Sequence, residues 1–281
     1  MLGREEGLAN TVMASVDERL RHVVLKIKRA KEHDAELQRQ LRSFLDAKPY
    51  RVGCKHDPVT RTLIYYVTSV DPAPDGLALI AGDVIQNLMS ALDHLAYQIV
   101  CRDTTDHPPN PNWIYFPIAD DLQKYEAKKA GKMQGATSAT FAAVDTLKPY
   151  KGGNDSLWSL YRLNNIEKHR LLLTVGSQAA GINLGQLMAS HLRNTFPENA
   201  VNAFEAMNIY LNPADKGFPL QPGFELYIGA PDEQPNPKQQ FRFDVVVNEP
   251  GICEGKPLLA LTNELMVLVE GIVATLTPRL Q

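Results

Sequence analysis

One nine-residue stretch of the sequence, RLNNIEKHR, concentrates side chains suited to acid–base and phosphate chemistry. Arg162 and His169 are seven residues apart. On an α-helix, which turns by about 100° per residue, they share one face with Asn165 between them. A histidine exchanges protons near neutral pH, and an arginine stabilises charge developing on a phosphate. The spacing therefore indicates a phosphodiester site in which Arg162 and His169 are catalytic and Asn165 orients the substrate.

The same stretch also has a purely structural interpretation. Lys168, His169 and Arg170 lie where a helix should end, and cations there bind free carbonyls and complement the helix dipole, each contributing about 0.3–1 kcal/mol when exposed. This account leaves Arg162 and the two asparagines unexplained, because asparagine is a middling helix former. Both interpretations stay open, and in the first of them Lys168 is a binding residue.

A second polar cluster lies in GDVIQNLMSALDHLAYQIV. Asp83, Asn87, Ser90 and His94 fall on one face of the predicted helix, and the other faces are apolar. No lysine, arginine or glutamate occurs from 83 to 100, whereas a plain solvent-exposed face usually carries some. The pattern favours a buried network of paired polar groups. The alternative is a functional site in which Asp83, Asn87 and His94 bind the substrate.

A metal site is a weaker hypothesis. His94 with Asp93, and His169 with Glu167, would supply mixed histidine and carboxylate ligands if their helices met. Adjacent residues on a helix diverge by about 100°, so the two members of each pair point apart. His107, in a proline-rich loop, is a further candidate ligand. We expect no metal and no other cofactor, and the sequence carries no G-x-S-x-G, H-E-x-x-H, Walker-type or G-x-G-x-x-G motif.

Composition narrows the classes of protein further. The chain has 281 residues, 44% of them hydrophobic, and a formal net charge of −3, which gives no global attraction to nucleic acids or anionic membranes. Its three cysteines are far apart and form no C-x-x-C pair, so neither a zinc ribbon nor a disulfide framework is indicated. The polar start, MLGREEGLANTV, predicts no signal peptide. Polar residues interrupt the apolar run 77–100, which therefore predicts no membrane span. We expect a soluble cytoplasmic protein with no membrane partner.

Periodicity and turn residues predict the elements that position the clusters. The fold class is α+β in a single domain, 1–281: a helix-rich part, 1–170, a strand-rich part, 171–256, and a C-terminal helix, 257–278. Two short segments, 188–191 and 201–209, are ambiguous. The individual predictions are helices at 16–45, 77–102, 122–132, 138–147, 157–169 and 258–276, and strands at RVGCKH, TLIYYVTS, LLLTVGS, FELYIGA and FRFDVVVNE.

The long N-terminal helix carries a narrow apolar stripe that Asp34 interrupts. Ser15 followed by Glu18 fits a capping box at its start. A stripe of this width suits packing along another long helix, in this chain or in a second copy. The helix thus suggests a homodimer.

The two clusters together resemble a bacterial family. The blocks GDVIQNLMSALDHLAYQIV, FPI, LKPY and LWSLYRLNNIEKHRLLL occur in this order. They are similar to a widespread family without an assigned activity, whose members share a GDxxxNLRSALDHL-like helix and an L-x-x-LxNIDKHR-like helix. The resemblance covers about residues 82–173 and implies no activity. Met89 stands where the family arginine is expected.

Arg162 and His169 also resemble the R-x4–6-H motif of HEPN (higher eukaryotes and prokaryotes nucleotide-binding) ribonucleases. This weaker resemblance implies a helical, often dimeric protein that joins two motifs at its interface and cleaves RNA without metal. Leu163 departs from the polar residue that usually follows the arginine, and the strand-rich second half is foreign to that fold. The leading hypothesis is an Arg/His site acting on a nucleotide or RNA. The alternatives are a non-enzymatic homo-oligomeric binding or assembly protein and a small-ligand sensor.

Overall fold

The computed structural model describes residues 14–106, 108, 110–170, 172–193 and 195–281, without the side chains of His169 and Arg170. Its fold class is α+β, as the sequence predicts. The helices are α1 Val16–Asp46, α2 Asp75–Asp103, α3 Leu122–Lys132, α4 Ser138–Asp145, α5 Asp155–Arg170, α6 Leu184–Leu192, α7 Glu198–Glu205 and α8 Leu258–Leu276. The strands are β1 Tyr50–His56, β2 Thr62–Val70, β3 Val175–Asn183, β4 Tyr210–Leu211, β5 Glu225–Pro231, β6 Phe241–Glu249 and β7 Cys253–Pro257.

Residues group into two compact units. The first unit comprises Met1–Ala30, Gln86–Tyr161 and Leu265–Gln281, and the second comprises Lys31–Ile85 and Arg162–Glu264. The boundaries fall inside α1, α2, α5 and α8, so each of these helices contributes one part to each unit. The single-domain organisation stays a prediction.

The described part of the first unit is mainly helical, and its core is built on the second half of α2. Leu88, Leu92, Leu95 and Ile99 have no solvent exposure. Their spacing places them on one side of α2, which leaves the opposite side for polar residues. The connection from α2 to α3 contains a short 3₁₀ helix, Pro111–Trp113, where the sequence predicts only a loop. The prediction is wrong there because proline, already fixed near helical φ, suits the first turn of such a helix.

The second unit contains two antiparallel sheets, ordered β1-β2-β5 and β4-β3-β6-β7. The hairpin predicted around DPVT is confirmed, since β1 pairs with β2. The strand predicted to begin at LLLT instead begins at Val175. Thr174 donates its backbone N–H to the Glu249 carboxylate at 2.6 Å. A side chain thus takes the bond that the Thr174 N–H would otherwise make to the ladder. The strand prediction is wrong for residues 172–174, and Leu171 lies outside the described residues.

The first segment that the sequence leaves ambiguous, 188–191, belongs to helix α6, and the second, 201–209, contains the last part of helix α7. Asn183 caps α6 by accepting a hydrogen bond from Gln186 N at 3.0 Å. Gly185, in the first turn, lies against the end of α7, and a Cβ there would stand 2.7 Å from Met207 O and closer still to Phe204 O. The absence of a side chain at Gly185 therefore lets α6 and α7 pack closely.

Helix α1 begins and packs as its sequence indicates. Ser15 Oγ accepts from Glu18 N at 3.3 Å while the Glu18 carboxylate accepts from Ser15 N at 2.8 Å, so the capping box is confirmed. Asp34 is only 5% exposed. Its carboxylate accepts hydrogen bonds from Thr262 Oγ1 at 2.6 Å and from Gln38 Nε2 at 2.7 Å. The interruption of the apolar stripe is thus a buried, paired polar group.

Helix α8 is rich in apolar residues. The stretch Leu258–Leu280 is long and apolar enough to cross a membrane, a test that core helices of soluble proteins also pass. The sequence interpretation considered only 77–100. Leu258, Leu265, Val269 and Leu276 are fully buried within the protein, whereas Val267 is 62% exposed, and 39% of the most apolar window is buried. One side of α8 therefore packs in the core.

Candidate functional site

Two histidine rings face each other in the first unit. His22 comes from α1 and His94 from the polar face of α2, and their ring centroids are 5.8 Å apart with an interplanar angle of 62°. His22 is exposed and His94 is partly exposed. Two imidazoles this close can both contact one small group that lies against the pair.

The histidines open onto a cleft of about 450 Å³, within the range of small-molecule sites. Helices α1 and α2 supply one side of it, and the segment around the 3₁₀ helix supplies the other. The lining residues are His22, Ser90, Asp93, His94, Tyr97, Gln98, Pro111, Asn112, Ile114 and Tyr115. The polar stripe of α2 therefore continues into the cleft with Tyr97 and Gln98.

The surroundings of His94 favour its neutral form. Burial lowers the pKa of His94, and the nearby His22 and Lys26 lower it further. Desolvation and neighbouring positive charge both disfavour the imidazolium. His94 is therefore available to accept a proton at neutral pH.

Basic residues extend along the same face of α1. Arg19, His22 and Lys26 follow one another at helical spacing, so they project in similar directions. Arg19 is 3% exposed and donates to the Asp106 carboxylate at 2.8 Å, which compensates its charge. Lys26 is close enough to His94 to lower the pKa of that histidine, so its charge acts on the cleft.

Asp93, on α2, holds the segment after the 3₁₀ helix, which forms the other side of the cleft. Its Oδ1 accepts a hydrogen bond from the backbone N–H of Phe116 at 3.0 Å. Lys132 lies behind this wall and donates to Ile118 O at 2.8 Å. Burial lowers the pKa of Lys132, and the negative charge of Asp93 opposes that shift. Asp93 thus positions the segment that carries Ile114.

Four of the predicted site residues lie in the second unit: Asp83, Arg162, Asn165 and Lys168. Asp83 is exposed, and its Oδ2 lies 3.8 Å from His33 Nδ1. The Glu167 carboxyl packs against Gly82, where a Cβ would approach its Oε1 to 2.7 Å. Burial raises the pKa of Glu167, and Asp83 raises it further. The GD and IEKHR motifs therefore meet through Gly82 and Glu167.

The residues of the opening stretch differ in exposure. The Nε atom of Arg162 is buried, Asn165 is partly exposed and Lys168 is exposed. The side chain of His169 lies outside the described part, as does His107, so the proposed Arg162–His169 arrangement stays a prediction. Asn164 is 2% exposed, and its Oδ1 has no hydrogen-bond partner among the described atoms.

The expectation of a buried polar network along α2 is wrong. Asp83 is exposed, and Asn87, Ser90 and His94 are partly exposed. Ser90 and His94 line the open cleft instead. Asn87 and His94 belong to the first unit, whereas Asp83 and Arg162 belong to the second.

Sequence reasoning did not identify His22, Tyr97 or Gln98. Tyr97 and Gln98 continue the spacing of Ser90 and His94, so a longer search along the stripe would have found them. His22 gives no such signal, because α1 carries polar residues over most of its surface. The packing of α1 against α2 is what brings His22, rather than another polar residue of α1, next to His94.

No group of three or more histidine, cysteine, aspartate or glutamate side chains in the described part of the chain could hold a metal ion. No family model, no curated protein and no solved structure matches this chain. The resemblances to the bacterial family and to HEPN ribonucleases therefore stay predictions.

Proposed function

We propose that the cleft is the site of a metal-independent acid–base enzyme that acts on a phosphodiester of a nucleotide or RNA. The observation that carries the proposal is the facing pair of His22 and His94, 5.8 Å apart in a cleft. Proton transfer requires a base and an acid within about 2.6–3.2 Å of the reacting oxygens. A phosphoryl group that lies in the cleft against both rings would present a different oxygen to each histidine.

The two rings take different roles. Neutral His94 accepts the proton of an attacking 2′-hydroxyl as its oxygen bonds to phosphorus. Protonated His22 donates a proton to the 5′-oxygen as the bond from phosphorus to that oxygen breaks. The products are a cyclic phosphate and a free hydroxyl, and Lys26 stabilises the negative charge on the phosphoryl oxygens in between. Such acid–base catalysis contributes about 10²–10⁴-fold to the rate.

The test uses His22→Gln and His94→Gln with a single-stranded oligoribonucleotide as substrate. Each variant should lose about 10²–10⁴-fold in kcat/KM while keeping its circular dichroism spectrum, and chelation with EDTA should leave the wild-type rate unchanged. His56→Gln is the matched control, since His56 is exposed and lies in the second unit, where it bonds the carbonyl of Glu233. Full activity of both cleft variants would overturn the assignment.

Arg162→Ala separates this assignment from the one based on the RLNNIEKHR stretch. If the cleft alone carries the chemistry, Arg162→Ala keeps most of the activity. If Arg162, Asn165 and His169 form the site, Arg162→Ala loses activity while His22→Gln retains it.

A non-enzymatic assembly role is the second candidate. Val24 and Leu25 on α1 are 55% and 51% exposed, which favours a homodimer through this helix. Analytical ultracentrifugation of Val24→Asp and Leu25→Asp tests it, since a dimer that depends on this face should dissociate. A cytoplasmic location is part of the enzymatic proposal, because RNA and nucleotides are available there.

A further inference from the structure

The residues that line the cleft are of two chemical kinds. His22 of α1 and His94 of α2 form the basic part, with Lys26 close by. The carboxamides of Gln98 and Asn112 and the ring of Tyr115 form an uncharged part. The carboxylate of Asp93, which also lines the cleft, accepts a hydrogen bond from the backbone N–H of Phe116. A ligand with an anionic group for the histidines and an uncharged polar group for the carboxamides would match this lining.

The uncharged part of the lining, formed by Gln98, Asn112 and Tyr115, matches the chemistry of a nucleobase. Tyr115 is 49% exposed, so much of its surface is open to a partner. Bases stack on aromatic side chains regardless of their sequence. The carboxamides of Gln98 and Asn112 each offer both donors and an acceptor, which is the combination that pairs with the polar edge of a base.

The segment that carries Tyr115 is also held by backbone hydrogen bonds before any ligand arrives. The backbone N–H of Tyr115 donates to Lys132 O at 3.0 Å, and the N–H of the next residue, Phe116, donates to Asp93. Ile114 N donates to Pro111 O at 3.4 Å within the 3₁₀ helix. The ring of Tyr115 is therefore carried on an ordered backbone, which reduces the entropy lost on binding.

We propose that Tyr115, Gln98 and Asn112 form a subsite for one unpaired nucleobase, which makes the substrate a single-stranded nucleotide unit. This inference rests on the proposed function, because the phosphate of the same unit reaches the histidine pair. A base inside a duplex is stacked on its neighbours and hydrogen-bonded along its edge. Neither its face nor its edge is free for these side chains.

The test measures binding without catalysis. Trp113 is 74% exposed and lies two residues before Tyr115, whereas the second tryptophan, Trp158, is 7% exposed. The emission of Trp113 therefore reports on the subsite. Uridine and adenosine, which lack phosphate, should change this emission with saturation, and ribose 5-phosphate should do so much more weakly.

Two variants assign the binding. Tyr115→Leu should weaken nucleoside binding about tenfold or more, since it removes a stacking surface. Phe196→Leu is the matched control, because Phe196 is 48% exposed and lies in the second unit, and it should bind as the wild type does. Gln98→Ala should change the ratio of uridine to adenosine affinity, as expected for a side chain that contacts the base edge.

The outcomes distinguish the two proposals. Nucleoside binding that Tyr115→Leu weakens and His22→Gln does not supports the subsite even if the protein cleaves nothing. Cleavage of RNA with nucleoside affinity unchanged in Tyr115→Leu overturns the subsite and leaves the catalytic proposal standing. Equal rates on single-stranded and duplex RNA would also overturn the subsite.

Discussion

Substitutions of Asp93 test whether its carboxylate holds one wall of the cleft in place. Asp93→Ala removes the acceptor of the Phe116 backbone N–H, which the carboxylate binds at 3.0 Å. Phe116 is 1% exposed, so we expect little water to replace the lost acceptor. Asp93→Asn keeps an oxygen at the same place but removes the charge. The two variants therefore separate the hydrogen bond from its ionic part.

The expected magnitudes follow from this bond. A buried donor left without a partner costs about 1–3 kcal/mol, and hydrogen bonds to charged groups lie in the upper part of that range. We expect Asp93→Ala to lower the free energy of unfolding by about 2–3 kcal/mol. Asp93→Asn should lower it by about 1 kcal/mol, the difference between a charged and a neutral acceptor. The Ala variant also removes a negative charge that favours protonated Lys132.

Thermal unfolding, followed by circular dichroism, measures the change in stability of both variants. For a chain of this size about 1 kcal/mol corresponds to a Tm change of about 2–4 °C, so Asp93→Ala should lower Tm by about 5–10 °C. Asp46→Asn is the control, since Asp46 is an exposed aspartate at the end of α1 and should change stability by less than about 0.5 kcal/mol. Equal losses in Asp93→Ala and Asp93→Asn, or no loss in either, would refute the reasoning.

Two further predictions concern packing and pH. Gly185→Ala should lower the free energy of unfolding by about 1–3 kcal/mol, because its Cβ would press on the backbone oxygens at the end of α7. Gly271→Ala, the control in α8 with no heavy atom within 4 Å of its Cβ, should instead raise it by about 0.5–1 kcal/mol. Urea titrations of both variants decide this, and equal shifts would contradict the packing. The raised pKa of Glu167 means that the folded protein binds this proton more tightly than the unfolded chain. Stability should therefore fall as pH rises from the ordinary glutamate pKa through the raised one. Tm measured from about pH 4 to about pH 8 should fall less steeply in Glu167→Gln than in the wild type, and parallel curves would contradict this.

Local signals in the sequence were enough to predict most elements of the fold. The apolar period of α1, its capping box at Ser15 and the alternation of β6 are each contained in a few consecutive residues. The start of β3 could not be predicted in this way. It depends on Glu249, which is 75 positions away from Thr174 in the chain.

Residues of the candidate site likewise differ in whether a local sequence pattern identifies them. His94 was identified because its helix carries an unusual polar stripe. Its partner His22 was not, because the choice among the polar residues of α1 depends on how two distant helices pack. Asp93 was considered as a metal ligand, whereas it bonds the backbone of Phe116, a contact across 23 positions that no local pattern records.

The buried Asp34 has a consequence for how α1 and α8 align. Its hydrogen bond to Thr262, which has no solvent exposure, exists at only one axial position of one helix along the other. Sliding α1 by a single turn would place the carboxylate against apolar side chains, whereas an uninterrupted apolar stripe would tolerate the shift with little loss. The Asp34–Thr262 pair thus adds little net stability, but it fixes the axial alignment of α1 against α8, because every neighbouring alignment would bury the carboxylate without its partner.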